Sequence, residues 1–157
     1  MNKMRTLQQL RENYLVAVVR GNTEDDAWQK CKQIIEGGIL NIEVTFTTPH
    51  AETVIKFLSQ KYKNDVLIGA GTVMDATTAR IAIMNGANFI VSPHFDAQIA
   101  MMPSGGVSIE NMHEWYEKGA FAIGIGSALT KGAQDGTDRI IVEQTRAFVE
   151  RFKNIEA

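Results

Sequence analysis

The chain has 157 residues, 45% of them hydrophobic and 22% charged, with a formal net charge of -2. That is an ordinary globular composition, long enough for one domain with a real core. It carries no basic cluster of the kind that binds nucleic acid or an anionic membrane. A single cysteine, Cys31, excludes an intrachain disulfide and a cysteine-based zinc site, and reads as a small apolar filler on a helix. The N-terminal MNKMRTLQQLRENY has no apolar run suited to a signal peptide, and no window reaches the ~18 apolar residues of a membrane span. The cytoplasm is therefore the expected location.

In chain order, residues 14–19 (YLVAVV) form the first apolar, β-branched run. Thr23 then stands before EDDAWQKCKQIIEGG, an acidic first turn with Ala27, Cys31, Ile34 and Ile35 on one face and Gly37 and Gly38 as terminators. The run 39–46 (ILNIEVTF) is followed by Thr48-Pro49, which suits the start of the next helix. After 66–70 (VLIGA), Asp75 heads a helix that stops near Gly86, and 87–91 (ANFIV) follows. Ser108 heads IENMHEWYEKG in a near capping-box pattern, with Gly119 as terminator. The run 120–126 (AFAIGIG) and a helix over about 137–153 complete the chain. Alternating continuous apolar strands and helices predict a parallel sheet covered by helices.

An open doubly wound sheet and a closed barrel both fit that alternation. Arg20, Glu43 with Thr45, Gly69 to Thr72, Ser92 to His94, Ser104 to Gly106 and Gly126 with Ser127 all fall where a strand gives way to its helix. Reactive and glycine-rich residues spread over every strand end are what a barrel with its site on the C-terminal rim requires. An open sheet would concentrate them at one switch point. The fold class expected is α/β, a (β/α)8 barrel in a single domain over residues 1–157. The spacing has one fault, however. Ser92 and Ser104 end successive strands too close together for a helix and a returning strand. Six βα units are present where a barrel has eight, and two further units would take about 50 residues. The domain therefore reads as interrupted at 100/101. The expectation is that Ala100 and Met101 are not bonded neighbours, with a Cα–Cα gap well above the ~3.8 Å of a trans peptide.

Two motifs, PSGGV (103–107) and GIGS (124–127), point to an anion. Gly105, Gly106 and Gly126 let backbone N–H groups approach it without a side chain in the way, Ser127 adds to them, and a helix starting near Ser108 would present its positive end. In barrels the last two strand ends are the usual phosphate site. Glu43 is the second signal, because a strand is a poor place for glutamate. Glu43 and Thr45 share one side of their strand, and a carboxylate in a barrel mouth would have a raised pKa suited to proton transfer. A structural pairing of Glu43 with Arg20 is the other reading. It is compatible with the first, since a guanidinium could also hold a substrate carboxylate. Thr72 in GAGTV (69–73) offers a hydrogen bond at the third strand end, and VSPHF (91–95) ends the fourth with Pro93 and His94. No His/Asp/Glu set has metal-ligand spacing.

Together these segments resemble the 2-keto-3-deoxy-6-phosphogluconate / 4-hydroxy-2-oxoglutarate aldolase family. The matching pieces are VAVVRG (16–21), EGGILNIEVTFTTP (36–49), IGAGTV (68–73), GANFIVSPHF (86–95), PSGGVS (103–108) and GIGSALTKG (124–132). The resemblance implies a Schiff-base aldolase on an eight-stranded barrel, commonly trimeric, acting on a phosphorylated keto acid without metal or other cofactor. It implies Glu43 as the proton-transfer residue, and Gly105, Gly106, Gly126 and Ser127 as the phosphate cradle. Arg20, Thr45, Thr47, Thr72 and Pro93 form the expected substrate-binding set. Some members carry arginine where this chain has Thr47, leaving Arg20 as the candidate cation.

The larger departure is that the family's Schiff-base lysine lies at the end of strand six, in a segment this sequence lacks. Family order places that segment between Ala100 and Met101, where the spacing already fails. Lys56, Lys61, Lys118 and Lys131 do not stand at apolar strand ends, where desolvation would make an amine nucleophilic. The chain as written is thus expected to be inactive in imine chemistry. Two other readings are a lysine-deficient phospho-ligand-binding barrel and a phosphate-binding barrel enzyme of thiamine-phosphate-synthase type. The latter needs a magnesium-binding carboxylate cluster that the sequence does not display.

Overall fold

The computed structural model describes residues 3–92, 104–118, 120, 122–133 and 139–156. The N-terminal segment forms helix α1 (Lys3–Asn13). Strand β1 (Leu15–Val19), helix α2 (Glu24–Gly37), strand β2 (Asn41–Thr45), helix α3 (Ala51–Tyr62), strand β3 (Leu67–Gly71), helix α4 (Ala76–Met84) and strand β4 (Phe89–Ile90) follow in alternation. The C-terminal part holds helix α5 (Met112–Glu117), strand β5 (Ile123–Ile125), a 3-10 turn (Ser127–Leu129) and helix α6 (Ile140–Glu156).

Local chemistry sets several of these boundaries. The Thr23 hydroxyl accepts from the Asp26 N–H at 3.1 Å and so caps α2, whose first turn is acidic. Gly38 closes it at φ 107°, the left-handed conformation that glycine adopts without a Cβ penalty. Asp75 caps α4 by accepting from the Thr78 N–H at 2.8 Å, and that bond holds its carboxyl below the usual range.

Two expected boundaries move. Helix α3 begins at Ala51 with His50 as its N-cap residue, not after Thr48. The Thr48 side chain is turned instead to the end of β1, where its hydroxyl accepts from the buried Gly21 N–H at 3.0 Å. Helix α5 begins at Met112, one turn later than Ser108. The intervening residues close on themselves: the Asn111 side chain accepts from the Ser108 N–H at 2.8 Å and donates to the Gly106 carbonyl at 2.9 Å.

All strand pairs among the described residues are parallel, in the order β4-β3-β2-β1-β5. The expected strand near residue 104 is reduced, among the described residues, to one parallel bridge between Ser104 and Gly124. The sequence of staves from β4 to Ser104 is that of strands four, three, two, one, eight and seven of a (β/α)8 barrel. The fold is α/β and TIM-barrel-like. The 100/101 junction lies outside the described residues, as do Pro93 and His94.

Side chains alternate along a strand. Leu15, Ala17, Val19, Ile42, Val44, Ile68, Ala70, Ile123 and Ile125 join one buried cluster with Cys31, Ile34, Ile55, Leu58 and Phe148 of the helices. The opposite face carries Val16, Val18, Asn41, Glu43, Thr45, Gly69, Gly71 and Gly124, in register across the sheet. Helix α1 lies at the N-terminal strand ends: Asn13 donates to the Asn41 side chain at 3.1 Å, and Gln9 to the Asn64 carbonyl at 3.2 Å. The C-terminal ends are left for the site.

Candidate active site at the C-terminal strand ends

Glu43 sits in the middle of β2 with 4% of its surface exposed, paired with Val18 on β1 and Gly69 on β3. Its carboxyl leans over Gly71. An ideal Cβ on Gly71 would lie 2.6 Å from the carboxyl carbon and 2.8 Å from Cγ, with Oε1 nearer still. Oε2 is buried with no hydrogen-bond partner among the described residues. Burial pushes the Glu43 pKa up to about 7 from 4.5, and the nearby positive charge of Arg20 opposes that rise. Glu43 is therefore poised between its two protonation states at neutral pH.

Arg20 follows β1 and is exposed at the rim. Its Nε donates to Thr47 Oγ1 at 2.8 Å, and Thr47 Oγ1 is 2.8 Å from Thr45 Oγ1. This row of Arg20, Thr47 and Thr45 runs along the rim beyond Glu43 in the strand direction. Among the described residues Arg20 makes no direct ion pair with Glu43, so the structural pairing considered from sequence is not formed. Thr72, half-buried after β3, has φ 55°. The left-handed region is rare for a β-branched residue, and such strain of about 1–3 kcal/mol collects at functional positions.

Gly105 and Gly106 have φ 88° and 68° and open space where side chains would be. The Ser104–Gly124 bridge sets their turn beside the end of β5, from which Gly126 and Ser127 emerge. An ideal Cβ on Gly126 would be 3.7 Å from the Val18 carbonyl. Gly71, Glu43, Val18 and Gly126 thus cross the sheet in one row. Three strand spacings, roughly 14 Å, separate Glu43 from the glycine turn. The expected helix N-terminus at Ser108 is not there. Helix α5 starts a turn beyond the glycine loop.

The residue sequence reasoning overlooked is Gly71. Along the sequence it is only one residue of a glycine-rich strand end, yet it lies directly under the Glu43 carboxyl. The signal would have been the β2–β3 register, which only the folded sheet reveals. No group of three or more His, Cys, Asp or Glu among the described residues is arranged to hold a metal ion.

The family model for KDPG and KHG aldolases matches residues 7–101. The chain belongs to this family. The 2-dehydro-3-deoxy-6-phosphogalactonate aldolase of Escherichia coli is 23% identical over 195 positions, covering 88% of this chain and 94% of that protein. Those 195 positions engage only about 138 of the 157 residues here, so about 57 positions of that relative have no counterpart. The 2-dehydro-3-deoxy-phosphogluconate aldolase of Treponema pallidum is 39% identical over 85 residues, 54% of this chain. The matched part spans 40% of that relative's length. Among solved structures, the KDPG aldolase from Legionella pneumophila, with pyruvate captured as a covalent carbinolamine, superposes with a TM-score of 0.72 at 17% identity. That superposition covers 94% of this chain and 98% of the other. The family is one of aldolases. No helix among the described residues is long and apolar enough to cross a membrane.

Proposed function

We propose that these residues form the binding and proton-transfer part of a Schiff-base aldolase site. The substrates would be 2-keto-3-deoxy-6-phosphogluconate, cleaved to pyruvate and glyceraldehyde 3-phosphate, and 4-hydroxy-2-oxoglutarate, cleaved to pyruvate and glyoxylate. The observation that carries this reading is Glu43, a carboxyl buried on the inner face near Arg20 with a pKa of about 7. Aldol cleavage needs one group that takes the proton from the C4 hydroxyl and returns a proton to the carbon left behind. A carboxyl that titrates near neutrality can do both.

Arg20, oriented through Thr47, holds the substrate carboxylate in this scheme, and Thr45 and Thr72 supply hydrogen bonds to the keto-acid end. Pro93 belongs to the same set by resemblance. The N–H groups of Gly105, Gly106, Gly126 and Ser127 receive the phosphate. The imine itself needs an amine. Lys56 and Lys61 lie on α3, Lys118 follows α5, and Lys131 is exposed beyond the 3-10 turn, so none of these four stands on the inner face of a strand end. We place the imine-forming lysine in a segment that belongs at the 100/101 junction. The family match ending at residue 101 and the roughly 57 unmatched positions of the Escherichia coli relative support this. The Legionella structure gives a precedent for pyruvate held covalently. By the same resemblance the protein is a cytoplasmic homotrimer, which sedimentation can check.

The decisive experiment is borohydride reduction in the presence of pyruvate, read by intact mass. The 157-residue chain alone should stay at 17.4 kDa. Protein from its native source should be heavier than that and gain a reduced pyruvate adduct. A native protein of 17.4 kDa that forms no adduct but binds phosphorylated keto acids would favour the lysine-deficient binder instead.

A further inference from the structure

Among the described residues, the cross-strand neighbours of Glu43 on the inner face are small or apolar: Val18 on β1, Gly69 and Gly71 on β3. Arg20 at the rim is the charged group that acts on it. Two glycines alternate on the β3 side of this face, and each makes room for a different group. A Cβ on Gly69 would collide with the Phe89 ring of β4, whereas a Cβ on Gly71 would collide with the Glu43 carboxyl. Gly71 lies within β3 in ordinary strand conformation, so backbone freedom does not explain a glycine there. The missing side chain does.

We propose that Gly71 is a positioning residue for the proton-transfer site: the space it leaves open is the slot that holds the Glu43 carboxyl against β3, beneath the rim and out of water. This rests on the reading of Glu43 given above. An alanine at 71 occupies the slot. The carboxyl must then leave the slot, and in this proposal it moves toward the exposed rim, where Arg20 lies. In solvent the desolvation that raises its pKa is relieved. The glycine would thus set both the position of the acid and the pH at which it works.

The test is Gly71→Ala, with Gly69→Ala as a control of matched chemistry on the same strand and face. The Glu43 carboxyl is followed by 13C NMR through a pH titration. Gly71→Ala should lower its midpoint by about one pH unit or more toward the ordinary carboxylate value, while Gly69→Ala should leave it in place. An unchanged midpoint in folded Gly71→Ala, or an equal shift in Gly69→Ala, overturns the proposal. A double-mutant cycle with Glu43→Ala covers the case in which Gly71→Ala does not fold. Overpacking should lower the Tm of Gly71→Ala by about 3–10 °C, and less than half of that loss should persist once the Glu43 side chain is removed. An equal loss in both backgrounds, or failure of the double variant to fold where Glu43→Ala folds, overturns the proposal. Neither readout needs turnover. A failed pyruvate trap would therefore leave the positioning role standing, and a failed titration would leave the aldolase reading standing.

Discussion

Ile42 and Glu43 are neighbours in the chain and both are nearly sealed from solvent, at 0% and 4% exposure. They face opposite sides of the same strand. Ile42 enters the apolar layer between sheet and helices, together with Leu15, Val44, Ile68 and Ile123. Glu43 enters a face built of Val18, Thr45, Gly69 and Gly71, with one carboxyl oxygen unpartnered among the described residues. The outer face gains its burial by packing hydrocarbon. The inner face places a carboxyl where its ionised form is poorly solvated. The difference teaches that one face holds the fold together while the other gives up stability to keep a carboxyl that titrates near neutrality.

The largest effect should come from the outer face. Ile42→Ala removes a fully buried side chain from the sheet–helix layer and should cost about 2–5 kcal/mol in urea unfolding. A loss under about 1 kcal/mol would mean that this layer does not dominate stability.

The inner face should respond with the opposite sign. The Glu43 pKa is raised from 4.5 to about 7 on folding. Its contribution is therefore fully present below about pH 4.5 and lost as pH rises through about 7. Ionised Glu43 should cost the native state about 3 kcal/mol at pH 8 relative to pH 4. Glu43→Gln should escape that loss and be the more stable protein at pH 8. Parallel stability curves for the two proteins between pH 4 and 8 would remove the distinction between the faces at this residue.

Thr48→Val probes the boundary between the two regions. It leaves the buried Gly21 N–H without its acceptor and should cost about 1–3 kcal/mol with little change in volume. The smallest effect should lie at the helix ends remote from both faces. Thr23→Ala removes the α2 cap and should cost about 1 kcal/mol, measurable as a shift in Tm. If Thr23→Ala cost more than Ile42→Ala, the assignment of stability to the sheet–helix layer would be wrong.

The sequence by itself determined the parallel α/β plan, because continuous apolar strands alternating with capped amphipathic helices leave few other ways to bury both faces of a sheet. It also determined the caps at Thr23 and Asp75, the stop at Gly38 and the isolation of Glu43 on a strand, since each depends on residues within a few positions of one another. The helices expected to start after Thr48 and at Ser108 begin later, at Ala51 and Met112, for a related reason. Local signals there were overruled, by the Gly21 N–H in one case and by the Asn111 side chain in the other. Only the tertiary structure decided that Gly71 lies under the Glu43 carboxyl, that Arg20 is turned through Thr47 and not paired with Glu43, and that the glycine turn at 105–106 stands beside Gly126. Those relations depend on which residues of different strands come into register. Register is fixed by the packing of the whole sheet against its helices, and a pattern read along one strand carries no information about the offset to the next.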